Sequence, residues 1–159
     1  MEAILSDDPD TSDALRTGAT LRDWVARWAA EKPGHPALQS PSGTITYAEL
    51  HARAQRLAAG LRAAGIARGA RVCAQLPNGP EFVTAYLASG YANCVFQTLH
   101  MPYRAAEIAP LLAHAQSAAL IALSRAKGFE PAAYGLAARA HLPDLKLVVA
   151  VGDPAPEGA

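Results

Sequence analysis

The sequence predicts an α/β domain: a mainly parallel sheet covered by helices on both faces, preceded by one helix and a short hairpin. Short apolar runs at Arg71–Leu76, Cys94–Thr98, Ala118–Leu123 and Leu145–Val151 alternate with segments of helical spacing, as crossover units require. Alanine, the best helix former, supplies 37 of the 159 residues, which argues against an all-β sandwich. Right-handed crossovers between such runs give a three-layer sandwich.

Residues 1–19 are polar, carry no periodic signal, and read as a flexible lead. Leu21, Trp24, Val25, Trp28 and Ala29 then recur at helical spacing behind a Thr20 cap, until Lys32-Pro33-Gly34 stops the helix. The two tryptophans share one face, which reads as core packing before a ligand pocket. Ala37–Gln39 and Thr44–Thr46 flank Ser40-Pro41-Ser42-Gly43 as a hairpin. Thr46 and Glu49 form a capping box that opens a helix running to about Ala64, with Leu50, Leu57 and Leu61 inward and Arg53, Arg56 and His51 outward. Gly65 is expected to end it in the left-handed conformation, with Ile66 as apolar partner.

Beyond that point each strand is followed by a loop and a helix. Pro77–Pro80 leads into a helix over Glu81–Ser89, with Phe82, Val83, Tyr86 and Leu87 inward. Leu99–Tyr103 leads into a helix over about Arg104–Ala115. Pro131–Ala140 is a third helix, and the strand at Cys94–Thr98 is expected to be central. The tail from residue 153 to 159 reads as a linker or a truncated end.

Fourteen basic side chains balance fourteen acidic ones, so no electrostatic footprint points to nucleic acid or an anionic membrane surface. Phe82 to Tyr103 contains no charged residue, but Gly90, Asn93, Gln97, His100 and Pro102 and a change of period make it a helix followed by a strand, not a membrane span. Cys73 and Cys94 lack metal-ligand spacing and read as buried free thiols. With no apolar leader at the start, they suggest a reducing, cytoplasmic setting.

Ligands of open α/β sheets bind at the carboxyl ends of the strands. The loops expected there do not resemble a phosphate cradle. Pro77 and Pro80 lack N–H donors, and Glu81 and Glu107 place negative charge in the opening helical turns. Ser124-Arg125-Ala126-Lys127-Gly128 alone has suitable charge, and reads first as solvated surface. His100, just past a strand, is the single candidate substrate-contacting residue, although without a partner carboxylate or nucleophile it also reads as a merely exposed histidine. His35, His51, His114 and His141 show no metal spacing, and no GxSxG, HExxH or Walker-type sequence is present. No catalytic, cofactor-binding or metal residue emerges from these patterns.

The order of motifs nevertheless resembles the opening of the AMP-forming acyl-CoA synthetases, the adenylate-forming acid–thiol ligases. Leu21-Arg22-Asp23 through Trp28, Pro36-Ala37-Leu38, and Thr44-Ile45-Thr46-Tyr47-Ala48-Glu49-Leu50 carry the likeness. Leu57 to Ile66, Gly69 with Arg71-Val72, and Leu76-Pro77-Asn78-Gly79-Pro80-Glu81-Phe82 with Tyr86-Leu87-Ala88 continue it. Thr98-Leu99-His100-Met101-Pro102-Tyr103-Arg104 stands where that family commonly has a Leu-Asn-Pro-x-Tyr turn, with His100 in place of Asn.

The resemblance covers residues 20–152 and implies a partial AMP-binding domain, the N-terminal subdomain of an adenylating enzyme. It implies ATP, magnesium and coenzyme A for a complete enzyme that activates a carboxylic acid, and no cofactor held by this segment itself. The family's phosphate loop, later acidic residues and C-terminal lysine have no match here. The expected partners are therefore the remaining C-terminal part of the ligase or a second copy of the chain. The alternative is a non-catalytic binding module that pairs with a full-length ligase. The His100 variant of the turn suggests an aliphatic or alicyclic acid.

Overall fold

The computed structural model describes residues 18–159. The expected lead therefore lies, as far as residue 17, outside the described residues. Leu21–Glu31 forms α1, Pro36–Ser40 and Gly43–Thr46 form the antiparallel hairpin β1–β2, and Tyr47–Ala63 forms α2. The main sheet follows as β3 (Arg71–Gln75), α3 (Pro80–Tyr91), β4 (Val95–Thr98), α4 (Ala105–His114), β5 (Ser117–Leu123), α5 (Pro131–Ala138) and β6 (Leu147–Val151). A single 3₁₀ turn, Arg139–His141, extends α5.

Local chemistry sets the ends of α2. Thr46 Oγ1 accepts from the Glu49 amide at 3.3 Å, while the Thr46 amide donates to Glu49 Oε2 at 2.9 Å. The Thr46 amide, and the Thr46 hydroxyl donating to the same Oε2 at 3.1 Å, hold the Glu49 carboxyl below its usual range. At the other end Gly65 takes φ +77°, the Ile66 amide donates to Leu61 O at 3.0 Å and the Gly65 amide to Arg62 O at 2.9 Å. Both ends match the expected caps, including burial of Ile66 beside Leu61.

All strand pairs in the main sheet are parallel, in the order β4-β3-β5-β6. The chain steps from β3 to β4 in one direction, then crosses back over β3 to reach β5. The reversal puts α3 on one face, beside α2, and α4 and α5 on the other, because each crossover is right-handed. Val72, Ala74 and Ile121 pack against Ala58, Leu61, Ala85 and Ala88 on the first face. Cys73, Leu120, Ala122 and Val148 pack against Ile108, Leu112 and Ala132 on the second. The three-layer sandwich is thus the observed architecture. A third cluster, Val25, Ile45, Leu50, Ala54 and Leu87, ties α1 and the hairpin to α2 and α3.

Four expectations are corrected. The β4 strand is an edge rather than a central strand, and Val95 is 52% exposed. The strand-to-helix alternation fixes neither the direction nor the order of crossovers, and it is β3 and β5 that are buried on both faces. Tyr86 points outward, 44% exposed, because small side chains, Ala85, Ala88 and Ser89, form the face of α3 that lies on the sheet. It packs edge-on to Phe96 at 5.4 Å instead. Trp24 and Trp28 are half-buried, with their tilted rings 5.5 Å apart and Trp28 also 5.2 Å from Tyr47, while Val25 is the buried residue of α1. Cys73 is buried as expected, but Cys94 is only half-buried.

Candidate functional site

A strand order in which the second strand lies to one side of the first and the third to the other creates a switch point at the carboxyl ends. Here the switch lies between β3 and β5; the loop after β3 borders it, and the loop after β4 lies on the other side of β3. The apolar run of β3 ends at Gln75. Pro80 then occupies the first position of α3, where a missing N–H costs nothing and the fixed φ favours the helix. Glu81 in that first turn complements the helix dipole.

The loops after β3 and β4 enclose a cleft of about 430 Å³ lined by Leu76, Pro77, Asn78, Phe82, Thr98, Leu99, His100, Met101 and Pro102. Its wall is mostly apolar, with Asn78, Thr98 and His100 as polar groups and no lysine or arginine. His100 is exposed at this cleft, its ring edge-on to that of Tyr103 at 5.5 Å. The ring nitrogens have no hydrogen-bond partner among the described residues. The arrangement can receive a flat or apolar group and offer it one imidazole.

The loop itself is a closed turn. The Tyr103 amide donates to His100 O at 3.1 Å, and the Arg104 guanidinium donates through Nη1 to Met101 O and Tyr103 O, both at 2.9 Å. From beneath, Gln75 Nε2 donates to His100 O at 3.0 Å and Tyr103 O at 3.1 Å. Sequence motifs do not single out Gln75. Its one signal is a lone amide at the end of an otherwise apolar strand.

The basic loop after β5 is differently built. Ser124 Oγ donates to Gly152 O and its amide to Val151 O, which ties the ends of β5 and β6 together. Ala126 and Phe129 bridge across Lys127 and Gly128, both at positive φ, and Arg125 pairs with Glu130 at 3.3 Å. One of the two cations is therefore already matched by an acidic side chain. His51, expected on the outer surface, is partly buried, and its Nδ1 lies 2.8 Å from Tyr91 Oη. No group of three or more His, Cys, Asp or Glu side chains is arranged to hold a metal ion among the described residues. Among the same residues no helix is long and apolar enough to cross a membrane.

Fold and cleft together define a doubly covered parallel α/β domain with a cleft at the carboxyl ends of β3 and β4. Residues 25–158 match the model of the family described as AMP-binding enzyme, and the chain belongs to that family. It is 35% identical over 144 residues to the salicyl-AMP ligase / salicyl-S-ArCP synthetase of Mycobacterium tuberculosis, covering 86% of this chain and 24% of that protein. It is 38% identical over 101 residues to a feruloyl-CoA synthase from an Amycolatopsis species, covering 64% of this chain and 21% of the relative. Among solved structures, acetoacetyl-CoA synthetase from Streptomyces lividans superposes with a TM-score of 0.71 at 30% identity, over 86% of this chain and 23% of that one. The chain thus spans between a fifth and a quarter of the length of these proteins.

Proposed function

We propose that this chain supplies the leading, sheet-bearing part of an ATP-dependent, AMP-forming acid–thiol ligase. The match of residues 25–158 to the AMP-binding family is the observation that carries this reading. In the reaction proposed, a carboxylate oxygen attacks the α-phosphorus of ATP, pyrophosphate leaves, and an acyl-adenylate results. A thiol, that of coenzyme A or a carrier protein, then attacks the acyl carbon, and AMP departs.

The chain's share of this work is scaffold and one wall of the cleft. The lining offers neither the cations nor the row of free N–H groups that a triphosphate needs. In this reading ATP and magnesium are gripped by residues from the length of the relatives that this chain does not span. Two of the named proteins carry salicyl and feruloyl in their names and the third acetoacetyl, and the higher identity of the first two favours an aromatic acid over the aliphatic or alicyclic one suggested by the turn.

The same reading gives the chain a partner. Leu123, Leu147, Val149 and Val151 stay only half-buried on the sheet face beside α2 and α3, and Val95 is exposed at the β4 edge. Such surface favours docking of the rest of a ligase or of a second copy. The two free thiols support a cytoplasmic setting.

A chimaera tests the proposal. Residues 20–152 would replace the corresponding leading segment of the salicyl-AMP ligase, and salicylate-dependent ATP–pyrophosphate exchange would be measured. Exchange well above that of the truncated ligase is expected. A folded, soluble chimaera without exchange contradicts the reading.

A further inference from the structure

We infer that Gln75 is a positioning residue: it clamps the Leu99–Arg104 turn shut and so sets where the His100 imidazole stands at the cleft. The inference deepens the proposed function by assigning a role within the same site, and rests on that reading only for the importance of the cleft.

The turn is not one that local preference would close. Its first and last residues are His100 and Tyr103, so Pro102 takes the third position, where its ring disfavours helical backbone at Met101. Arg104 ties Met101 O to Tyr103 O from within, but the two ends, His100 O and Tyr103 O, are joined by a side chain from outside the turn. The side chain of Gln75 is 1% exposed at the end of β3, and its Nε2 spans both ends of the turn. His100 O accepts from Gln75 and from the Tyr103 amide, while Tyr103 O accepts from Gln75 and from Arg104. Both lone pairs of each carbonyl are thereby used. The His100 and Tyr103 rings meet edge to face because the ends of the turn are held together.

The other half of the amide fixes the assignment. Gln75 Oε1 is buried without a hydrogen-bond partner among the described residues. Turning the amide over would set that oxygen against two carbonyl oxygens, so the amino group must face the turn. A leucine would fill the same space without burying an orphan acceptor. What glutamine alone supplies is the pair of donors to His100 O and Tyr103 O.

The test uses the 159-residue chain with isotope-labelled histidine, and the variants Gln75→Leu and Gln75→Glu. Leucine removes donor and orphan acceptor together, and glutamate keeps the shape while losing the amino donor. In both, the His100 ring resonances are expected to move to the positions of an unstructured histidine, while those of His114 and His141 stay. Exchange of the Tyr103 amide should accelerate at least tenfold. A merely space-filling role would leave the His100 resonances and the Tyr103 exchange rate unchanged in Gln75→Leu, and that result overturns the inference. Should neither variant fold, the native protein decides: slowly exchanging Gln75 side-chain amide protons support the clamp, and rapidly exchanging ones refute it. None of these readouts involves ATP or an acid, so the clamp and the ligase reading can fail separately.

Discussion

His51 Nδ1 and Tyr91 Oη lie 2.8 Å apart, and the direction of their hydrogen bond follows from a third group. Tyr91 Oη donates its only proton to Arg22 O at 3.0 Å, since a carbonyl can only accept. The hydroxyl oxygen is left as acceptor, so His51 carries its proton on Nδ1. This relay joins α1, α2 and α3 through residues forty or more positions apart. Arg22 reinforces it, donating to Gly90 O and, at 2.8 Å, to Asn93 Oδ1 at the end of α3. Burial holds the Tyr91 hydroxyl above its ordinary range, with Asp23 adding to the shift and Arg22 opposing it.

Tyr91→Phe removes both bonds of the relay and strands the His51 N–H. The expected cost is about 1–2 kcal/mol, read as a Tm lower by several degrees. Hydrogen exchange should rise first in α1, which the relay fastens, and later in the sheet. Equal loosening everywhere would show that α1 is held by Val25 and its apolar neighbours alone.

Two glycines inside helices should respond to alanine with opposite signs. Gly60 lies on the exposed face of α2, where an added methyl would meet nothing within 4 Å, so Gly60→Ala should stabilise by about 0.5–1 kcal/mol through backbone entropy. At Gly135, in α5, a methyl would come within 2.5 Å of Leu120 Cδ2 and 3.5 Å of Val148 Cγ2, both on buried core residues. Overpacking of about 1–3 kcal/mol there exceeds the gain in helix propensity of about 1 kcal/mol. Chemical denaturation of the two variants gives the comparison, and a stabilised Gly135→Ala would mean that α5 can lift from the sheet without cost.

Cys73 gives stability an alkaline limb. Burial alone pushes its thiol from 9.0 up to about 12. The unfolded chain therefore releases this proton before the folded one. The contribution is fully present below about 9 and is lost as pH rises toward 12. Cys73→Ala should flatten the fall in stability over that window, whatever its cost at neutral pH. In thiol titrations of the native protein Cys94, half-buried and also shifted upward by burial, should react slowly, and Cys73 only on unfolding.

What the residues reveal by themselves is what short-range chemistry decides. The Thr46–Glu49 box, the Gly65–Ile66 cap and the alternation of apolar runs with helices are each written within a few positions. The strand order is not, because nothing in Cys94–Thr98 records that the next crossover passes back over β3. Tyr86 departs from the rule that large apolar residues face inward, because Ala85 and Ala88 fill the centre of the α3 face on the sheet and leave Tyr86 to pack on Phe96 at the β4 edge. At the cleft, His100 is legible from its place after a strand. The Gln75 bonds that hold it are not, since they link side chain to backbone across 25 and 28 positions.

The most direct test of the whole account is salicylate-dependent ATP–pyrophosphate exchange by the purified 159-residue chain, with magnesium present and no other protein added. Scaffold lacking a grip on triphosphate predicts a rate equal to the enzyme-free blank, unchanged when coenzyme A is supplied. Label passing from pyrophosphate into ATP would mean that these residues assemble an adenylating centre unaided, and would contradict it.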